Sequence, residues 1–424
     1  MIFREVSARL FPWDYVDEGA DHVVDVLERE TLTNSIYPVV LMHDEKRPLA
    51  EFYYPHNPRR KVYWTEDSRA YWHVDQTFYA DSRIRPLGSE DDELRDTDWI
   101  AFSVELARRR GMRVGVELSH TWIDKHRSLL EFADCLQCGL DGRPIAGRLC
   151  VNSPETQAYG RGLFTELATR YELDFIQTAF YGFDAPSYRE RLTEVQRLVR
   201  LPLGTCFCDN CRRAAETAGL HWGEIIDRIR WLAEGHDRYR ARQAFDLNLL
   251  LHSTTTASQL FLEMPELYAW IKFRTESYTR FWRELYTAAH AARPDIDVRF
   301  NDCWVYPEFS GFDLRAMAPY MDSIRAADYL EETGSTEQME IKRGFYHAIR
   351  RAVGLDKHFL TAISQRVHCT PELVKQTILL SAQCGADGTT IASYDTATPR
   401  LLRAVREGFE EAGITVDRPA ERRK

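Results

Sequence analysis

Short apolar runs alternate with amphipathic stretches along most of the chain. The apolar runs are rich in β-branched and aromatic residues, as strands are, whereas the stretches between them repeat apolar residues at helical spacing. Strands are predicted at residues 3–11, 35–44, 112–118, 174–180, 297–302, 323–328, 358–364 and 388–395. Because each strand leads to a helix or to a longer excursion that ends in one, the pattern predicts an α/β fold, the (β/α)8 or TIM barrel.

Helix boundary signals support this alternation. Gly111 follows a predicted helix over 98–110, where a glycine C-cap belongs, and Ser153-Pro154 provides an N-cap and a proline at the first helical turn. A doubly wound open sheet is the alternative fold. No Gly-x-Gly-x-x-Gly sequence follows a predicted strand and no Walker A sequence is present, which favours the barrel.

Two long segments, residues 46–95 and 181–265, interrupt the alternation. Irregular segments of this length in a compact domain usually have a functional or partner-binding role. We therefore expect residues 1–424 to form a single barrel domain, with these two insertions decorating the rim at the C-terminal face of the strands.

Composition narrows the class of protein. Apolar residues make up 44% of the 424 residues and charged residues 28%, which is a globular balance, and the net charge of −10 argues against a nucleic-acid partner. No window approaches 18 consecutive apolar residues, and the start lacks a basic-then-apolar leader, so we expect a cytoplasmic protein with no membrane partner. The aromatic content of 12% suits either carbohydrate-binding platforms or simply a large core.

The cysteines are unevenly placed and indicate a metal site rather than disulfides. Cys206-Phe-Cys208-Asp-Asn-Cys211 brings three thiolates close enough to bind one tetrahedral ion, and a fourth ligand would close the site. Cys150, Cys135 and Cys138 are the candidates for that ligand, and we predict Cys150. A closed site of four protein ligands holds structural zinc; the alternative is a set of unrelated buried thiols.

Three segments in order resemble the family 42 glycoside hydrolases, bacterial β-galactosidases with a barrel and a cysteine zinc site. These are Leu149–Glu155, the strand that begins at Asp174, and Cys206–Cys211, so the resemblance covers roughly residues 145–215. It implies a carbohydrate-active enzyme that acts on a glycoside or oligosaccharide. Residues 54–63 and 384–389 are also similar to a wider set of uncharacterised glycosidase-like barrel proteins.

The chain departs from that family at the catalytic positions. The family has a glutamate in an Asn-Glu pair at the end of strand four and a glutamate at the end of strand seven. Here these ends read Thr178-Ala-Phe-Tyr-Gly-Phe and Thr361-Ala-Ile-Ser-Gln-Arg, so neither carboxylate can be carried over.

Other carboxylates stand at strand ends, where barrel enzymes place their chemistry. Asp302 and Asp328 end neighbouring strands and form our first-choice catalytic pair, with Glu117 as the third candidate. Asp328 follows Arg-Ala-Ala, and partial desolvation would raise its pKa and suit an acid; Asp302 suits a nucleophile or base. The alternative for each is a salt bridge or helix cap, and Glu331 and Glu332 are expected to be solvated.

Polar and aromatic residues near the same ends are candidates for substrate binding. The predicted set is His43, His120, Trp122, Tyr181, Asn301, Trp304, Arg366, Tyr394 and Asp395. The aromatic rings could instead be packing residues. Arg366 would bind a carboxylate on an acidic sugar, or else neutralise Asp395.

Two further functions stay open. His43, Glu117, His120 and Asp302 could form a metal shell, as in a metal-dependent isomerase or hydrolase. A barrel that has lost the family carboxylates could also bind carbohydrate without hydrolysing it. The expected partner is a carbohydrate substrate, and a homo-oligomer is left open.

Overall fold

A computed structural model provides the structure of the protein. It describes residues 1–43, 53–63, 65–179, 182–183, 193–237, 255–302, 306–333, 335–366, 369–392 and 394–417. Eight parallel strands follow one another around a closed barrel, in which the last strand pairs with the first. The predicted (β/α)8 barrel is therefore confirmed, and the open-sheet alternative is wrong.

The barrel strands are numbered in chain order. They are β1 Glu5–Leu10, β2 Ser35–Leu41, β3 Arg113–Leu118, β4 Phe175–Thr178, β5 Asp297–Asp302, β6 Ser323–Ala326, β7 His358–Ile363 and β8 Gly388–Ile391. Several predicted strands were too long at their carboxyl ends, because the chain leaves the sheet there to form the loops of the barrel mouth. The predicted first strand is also split, since Ile2–Phe3 lies outside the barrel and pairs with Thr415–Val416.

Fourteen helices lie in the described part of the chain. They are α1 Pro12–Glu18, α2 Ala20–Thr31, α3 Trp99–Arg110, α4 Lys125–Glu131, α5 Pro154–Arg170, α6 Glu194–Arg200, α7 Asp209–Thr217, α8 Trp222–Asp237, α9 Ala257–Glu263, α10 Pro265–Ala292, α11 Leu314–Met317, α12 Thr336–Val353, α13 Pro371–Gln383 and α14 Pro399–Glu411. No described helix is long and apolar enough to cross a membrane.

Local sequence explains why the helices begin and end where they do. The Asp98 side chain accepts a hydrogen bond from the Ala101 amide and caps the start of α3, while Gly111 ends it in the left-handed conformation with φ of 64°. Thr370 caps α13 in the same way, with Pro371 at its first turn. These are the boundary signals that the sequence displays.

The two insertions contain regular structure of their own. Within 46–95, the short strands Arg69–Ala70 and Leu87–Gly88 extend the sheet from β2. The described part of 181–265 contains α6, α7, α8 and α9. A further antiparallel pair, Leu136–Cys138 with Pro144–Leu149, lies between β3 and α5. The single-domain organisation stays a prediction.

The amino-terminal half of the barrel interior is filled by a charged cluster, which we call the floor: Glu5, Arg113, Asp297 and Arg299. Arg299 lies 2.9 and 3.1 Å from the two oxygens of Glu5 and 3.1 Å from Asp297, and Glu5 and Arg299 are fully buried. Burial alone would raise the pKa of Glu5, but the charges of Arg299, Arg113 and His358 outweigh it and lower the pKa to about 2. The floor is thus a charge-compensated plug.

An aromatic ring completes the packing of this interior. Phe175 of β4 lies under the Arg299 guanidinium, 3.8 Å from ring centroid to carbon. Gly115 of β3 faces the same ring, and a Cβ at this position would come within 2.2 Å of it. The absence of a side chain at residue 115 is therefore what admits the Phe175 ring.

Candidate active site at the mouth of the barrel

The carboxyl ends of the eight strands meet at one end of the barrel, which we call the mouth. Arg9 at the end of β1 places its Nε 2.8 Å from Glu117 Oε1 on β3. Gln177 of β4 donates to the other oxygen of Glu117 at 2.6 Å, and the Glu117 side chain is 3% exposed. Glu117 is therefore held at the mouth with both carboxylate oxygens engaged.

A second network surrounds Arg325, an interior residue of β6 that the sequence analysis did not select. Its guanidinium donates to Thr390 Oγ1 at 2.7 Å, to Asn301 Oδ1 at 3.0 Å and to Tyr329 Oη at 3.1 Å. Tyr329 has φ of 53°, a left-handed conformation that is unusual for a bulky residue and is often found at functional sites. The predicted substrate-binding residue Asn301 thus lies at the mouth, in contact with Arg325.

Asp328, just after β6, is buried as predicted, but it also has an ion-pair partner. Its Oδ1 lies 2.8 Å from Lys342 Nζ and accepts from the Leu330 amide, while its buried Oδ2 has no partner in the described part of the chain. Lys342 also contacts Glu331 at 2.6 Å. Burial would lower the pKa of Lys342, but the two carboxylates hold it well above its usual value. The expectation that Glu331 is solvated is wrong, since it is fully buried.

Glu332 and Arg366 continue this network around β7. Glu332 accepts from Ser364 Oγ at 2.6 Å and lies 3.5 Å from Arg366 Nη1, so it too is a bound rim residue rather than a solvated one. The Arg366 guanidinium lies 5.5 Å from the centroid of the Tyr329 ring. Its charge also acts on Asp395, in agreement with one of the two roles predicted for Arg366.

Asp395, after β8, is a mouth carboxyl whose surroundings favour the protonated form. It is 2% exposed, and burial raises its pKa to about 6 against the opposing charges of Arg9, His56 and Arg366. Asp14 of α1 is fully buried, and burial followed by the charge of Asp395 raises the pKa of Asp14 well above its usual value. The two carboxyls thus interact within one buried acidic cluster.

Glu18, Tyr394 and His56 complete this cluster. Tyr394 Oη donates to Glu18 Oε2 at 3.0 Å, and His56 Nδ1 lies 2.9 Å from the same oxygen. Burial lowers the pKa of His56, but its contacts with Glu18 outweigh this and leave the pKa raised. Tyr394 is 1% exposed and packs against the His56 ring, so it offers no open ring face to a sugar.

His120 lies away from the mouth, which corrects its expected role in substrate binding. It is fully buried among the aromatic rings of α5 and α10, and its Nε2 lies 3.0 Å from Tyr278 Oη. Burial lowers its pKa to about 3. His43 Nδ1 lies 3.2 Å from Ser119 Oγ, and Glu117 is held by Arg9, so the described members of the proposed metal shell do not converge.

The Trp122 ring packs against neighbouring side chains and is not open to a sugar. Its ring lies 5.3 Å from the Arg148 guanidinium and 5.6 Å from Lys125 Nζ, its Nε1 donates to Asp67, and it is 7% exposed. The packing alternative therefore fits this ring. Tyr181, Trp304 and the Asp302 side chain lie outside the described residues, whereas the Asp302 backbone ends β5 and pairs with Ala326.

Away from these networks, Cys150, Cys206, Cys208 and Cys211 form a buried cluster. Their sulfur atoms all lie within 4.8 Å of one another, and Cys150 Sγ is 3.5 Å from the sulfurs of Cys208 and Cys211. Four thiolates around a tetrahedral zinc ion with bonds of ~2.3 Å lie ~3.8 Å apart. The prediction that Cys150 joins the other three is confirmed, and the cluster has the dimensions of a metal site.

Backbone and amide groups surround this cysteine cluster as they surround metal-bound thiolates. The Cys138 amide donates to Cys206 Sγ at 3.3 Å, the Cys211 amide to Cys208 Sγ at 3.5 Å, and Asn152 Nδ2 to Cys211 Sγ at 3.3 Å. Cys138 and Cys135 stay outside the cluster, and burial raises their pKa values to about 12 and about 11.

Three important residues escaped sequence reasoning. Asp14 lies in a helix after β1, Arg325 lies inside a strand, and Lys342 lies on α12. The available signal was the same for Arg325 and Lys342: a charged residue at a position that faces the interior of its strand or helix. Such a residue needs a partner, and that partner here comes from elsewhere in the sequence.

Comparisons with known proteins support the fold. No protein-family model matches the chain, and no curated protein matches it. Among solved structures, α-L-fucosidase isoenzyme 2 from Paenibacillus thiaminolyticus aligns with a TM-score of 0.57 at 12% identity, over 97% of this chain and 49% of that one. β-Galactosidase from Bacillus circulans sp. alkalophilus aligns with a TM-score of 0.57 at 14% identity, over 97% and 56%.

A third solved structure matches over nearly its whole length. The catalytic domain of β-amylase from Paenibacillus polymyxa aligns with a TM-score of 0.54 at 10% identity, over 97% of this chain and 98% of that one. The chain therefore spans about half the length of the fucosidase and the galactosidase, but all of the amylase domain. At such identities the likeness shows a shared barrel fold.

Proposed function

We propose that the protein is a glycoside hydrolase whose active site is the barrel mouth. The observation that carries this proposal is that two carboxyls beyond the strand ends, Asp395 and Asp328, lie in different surroundings. Burial raises the pKa of Asp395 to about 6, whereas Lys342 at 2.8 Å compensates the charge of Asp328. Glycoside hydrolysis needs one carboxyl that is protonated and one that is ionised, and divergent environments provide this difference.

The roles follow from those environments. Asp395 donates the proton to the glycosidic oxygen, which moves it from the substrate-binding role expected from the sequence. Asp328, expected from the sequence to be the acid, acts instead as base or nucleophile, because its Oδ1 is paired with Lys342 and its buried Oδ2 has no partner among the described residues. Asp302 is the alternative for this second role, as the sequence suggests. Glu117, with both oxygens bound, positions Arg9 and Gln177.

The structural likenesses support the same class of reaction. The similar barrels are named as a fucosidase, a β-galactosidase and a β-amylase, and all three names denote hydrolysis of glycosidic bonds. We therefore place the substrate among glycosides or oligosaccharides.

The test is a rate measurement on a panel of nitrophenyl glycosides and natural oligosaccharides. On an accepted substrate, Asp395→Asn and Asp328→Asn should each lower kcat by ~10²–10⁴-fold while the protein stays folded. Asp302→Asn is measured alongside, and Asp92→Asn, at a side chain that is 84% exposed, is the matched control. Near-wild-type turnover in the first two variants would remove the assignment, and a loss confined to Asp302→Asn would transfer the second role to that residue.

A second candidate is a barrel that binds carbohydrate without hydrolysing it. The missing strand-four and strand-seven glutamates favour it, since the chain has Thr178 and Ser364 near those ends. Saturable sugar binding, with no hydrolysis of any substrate on the panel, would support this function over the first.

The cysteine cluster is proposed to hold one structural zinc ion. Four protein ligands leave no position for a substrate, and metal binding at such a site contributes directly to folding. Metal analysis of protein purified without added zinc should find about one equivalent, and Cys208→Ser should lower Tm. Protein that is purified without zinc bound, or a Cys208→Ser variant with the wild-type Tm, would contradict the assignment.

A further inference from the structure

Arg325 is a buried cation with no carboxylate in contact with it in the described part of the chain. It is 1% exposed, and its three hydrogen bonds go to the neutral groups Thr390, Asn301 and Tyr329. No carboxylate oxygen of the described residues lies within 4.0 Å of its guanidinium. A buried charge is costly unless it is paired, and the Glu117 carboxylate acts on Arg325 only from beyond contact distance, so the site can accept a further anion.

The guanidinium still has donors to offer. Arginine carries five N–H groups, of which Nε and one on each terminal nitrogen are used. Among the described residues, one N–H on each terminal nitrogen is therefore left without an acceptor. Two such donors on one planar group are the usual means of recognising a carboxylate or a sulfate, whose oxygens accept them together.

The surroundings include small side chains and a further unsatisfied polar atom. Ala327 lies two residues after Arg325 and so on the same face, and with Ala362 of β7 it forms a small apolar cluster against Tyr329. The side chains that follow Arg325 on this face are therefore small. Tyr37 Oη, on which the Arg325 charge acts, is buried without a hydrogen-bond partner in the described part of the chain. A hydroxyl-rich ligand would satisfy such an atom.

A second cation lies on the same side of the mouth. Arg366 lies over the ring of Tyr329, whose hydroxyl bonds Arg325, so the two guanidinium groups share one aromatic neighbour. Arg366 is itself close to Glu332, which leaves Arg325 as the cation in greater need of an anion. Two guanidinium groups beside one ring would both attract a negatively charged group on the substrate.

We propose that Arg325 binds an oxyanion carried by the sugar, a carboxylate or a sulfate ester, so that the substrates are acidic glycosides. This inference rests on the proposed function, because the acidic sugar is a substrate only if the protein is a glycoside hydrolase. The binding of the sugar to Arg325 does not depend on hydrolysis. Tyr329 is a positioning residue, because its hydroxyl holds one side of the guanidinium.

The test is calorimetric binding to wild-type protein. Galacturonate and glucuronate are compared with galactose and glucose, and galactose 6-sulfate distinguishes a sulfate site from a carboxylate site. At least one acidic sugar should bind about tenfold or more tightly than its neutral counterpart, as a charge-assisted hydrogen bond gives. Equal affinity for acidic and neutral sugars, or no sugar binding at all, would overturn the proposal.

Variants then locate the effect. Arg325→Met should abolish the preference for the acidic sugar, whereas Arg343→Met, on the outer surface of α12, should retain it. A retained preference in Arg325→Met would overturn the proposal. If Arg325→Met does not fold by circular dichroism, Arg325→Lys decides, since it keeps the charge without the fork: a reduced preference supports the site and an unchanged one refutes it.

These outcomes separate the inference from the proposed function. Binding of acidic sugars without hydrolysis of any glycoside would remove the hydrolase and leave the Arg325 site intact. Hydrolysis of neutral glycosides without any preference for acidic sugars would do the reverse.

Discussion

Two buried arginines on adjacent strands of the barrel differ in the charge of the groups that they contact. Arg299 on β5 is paired with Glu5 and Asp297 in the floor, whereas Arg325 on β6 has only neutral partners among the described residues. Both are almost wholly inaccessible to solvent. The floor satisfies its own charges, whereas Arg325 at the mouth has no carboxylate in contact with it among the described residues, as expected of a group that binds a charged ligand.

Breaking the floor should have the largest effect. Arg299→Met would leave the Glu5 and Asp297 carboxylates without their main partner in the barrel interior, and removing one member of a buried ion pair typically costs about 3–5 kcal/mol. We expect a loss of that size in the free energy of unfolding, measured by urea denaturation. An unchanged free energy would mean that the floor is not the stabilising plug that its geometry indicates.

The floor and the mouth of the barrel should change the stability of the protein in opposite directions as the pH falls. The pKa of Glu5 is lowered from 4.5 to about 2, so its contribution is present above pH 4.5 and is lost as the pH falls toward 2. The pKa of Asp395 is raised from 3.8 to about 6, so its contribution is present below 3.8 and is lost as the pH rises through 6.

Unfolding free energies of wild type, Asp395→Asn and Glu5→Gln between pH 7.5 and the acid limit of folding test this difference. Relative to Asp395→Asn, the wild type should gain stability on acidification from pH 7 to 4. Relative to Glu5→Gln, it should lose stability below pH 4.5. If the unfolding free energy changed with pH in the same way in all three proteins, the opposite contributions assigned to Glu5 and Asp395 would be wrong.

The smallest expected effect is that of Arg325→Met on stability. Removing a buried cation with no carboxylate in contact among the described residues offsets the loss of three hydrogen bonds to neutral groups, so the free energy of unfolding should stay within about 1 kcal/mol of wild type. Measured beside Arg299→Met by the same denaturation, this variant is the matched comparison. A loss as large as that of Arg299→Met would show that Arg325 is also structural.

The fold was largely predictable because its signals are local. Gly111, Asp98 and the Thr370-Pro371 pair mark helix ends through contacts within a few residues of themselves, and strand periodicity marks the rest. The predicted strand over 388–395 was too long because apolar composition continues past Ile391 into the loop that contains Asp395. The ends of strands are hard to predict because apolar residues continue from the strand into the loop that follows it.

The site was predictable only in part, because its partners are distant in sequence. The position of Asp328 at the mouth follows from its strand, but its partner Lys342 comes from the next helix, and Asp14, which acts on Asp395, comes from the other end of the chain. His120 was misplaced because two residues after β3 suffice to turn the side chain away from the axis and into the helical layer. Cysteine spacing carried more information, since a chelating cluster is mostly local.

The pairing of β8 with β1 has a consequence for how the chain reaches this structure. Gly388 aligns with Glu5, so the ladder that closes the barrel joins segments from opposite ends of the sequence. Contacts of such high sequence separation form late and slow folding, and a growing chain exposes the unpaired edge of β1 until β8 has been synthesised. We therefore expect the unpaired edge of β1 to be a site of aggregation while the chain is being synthesised.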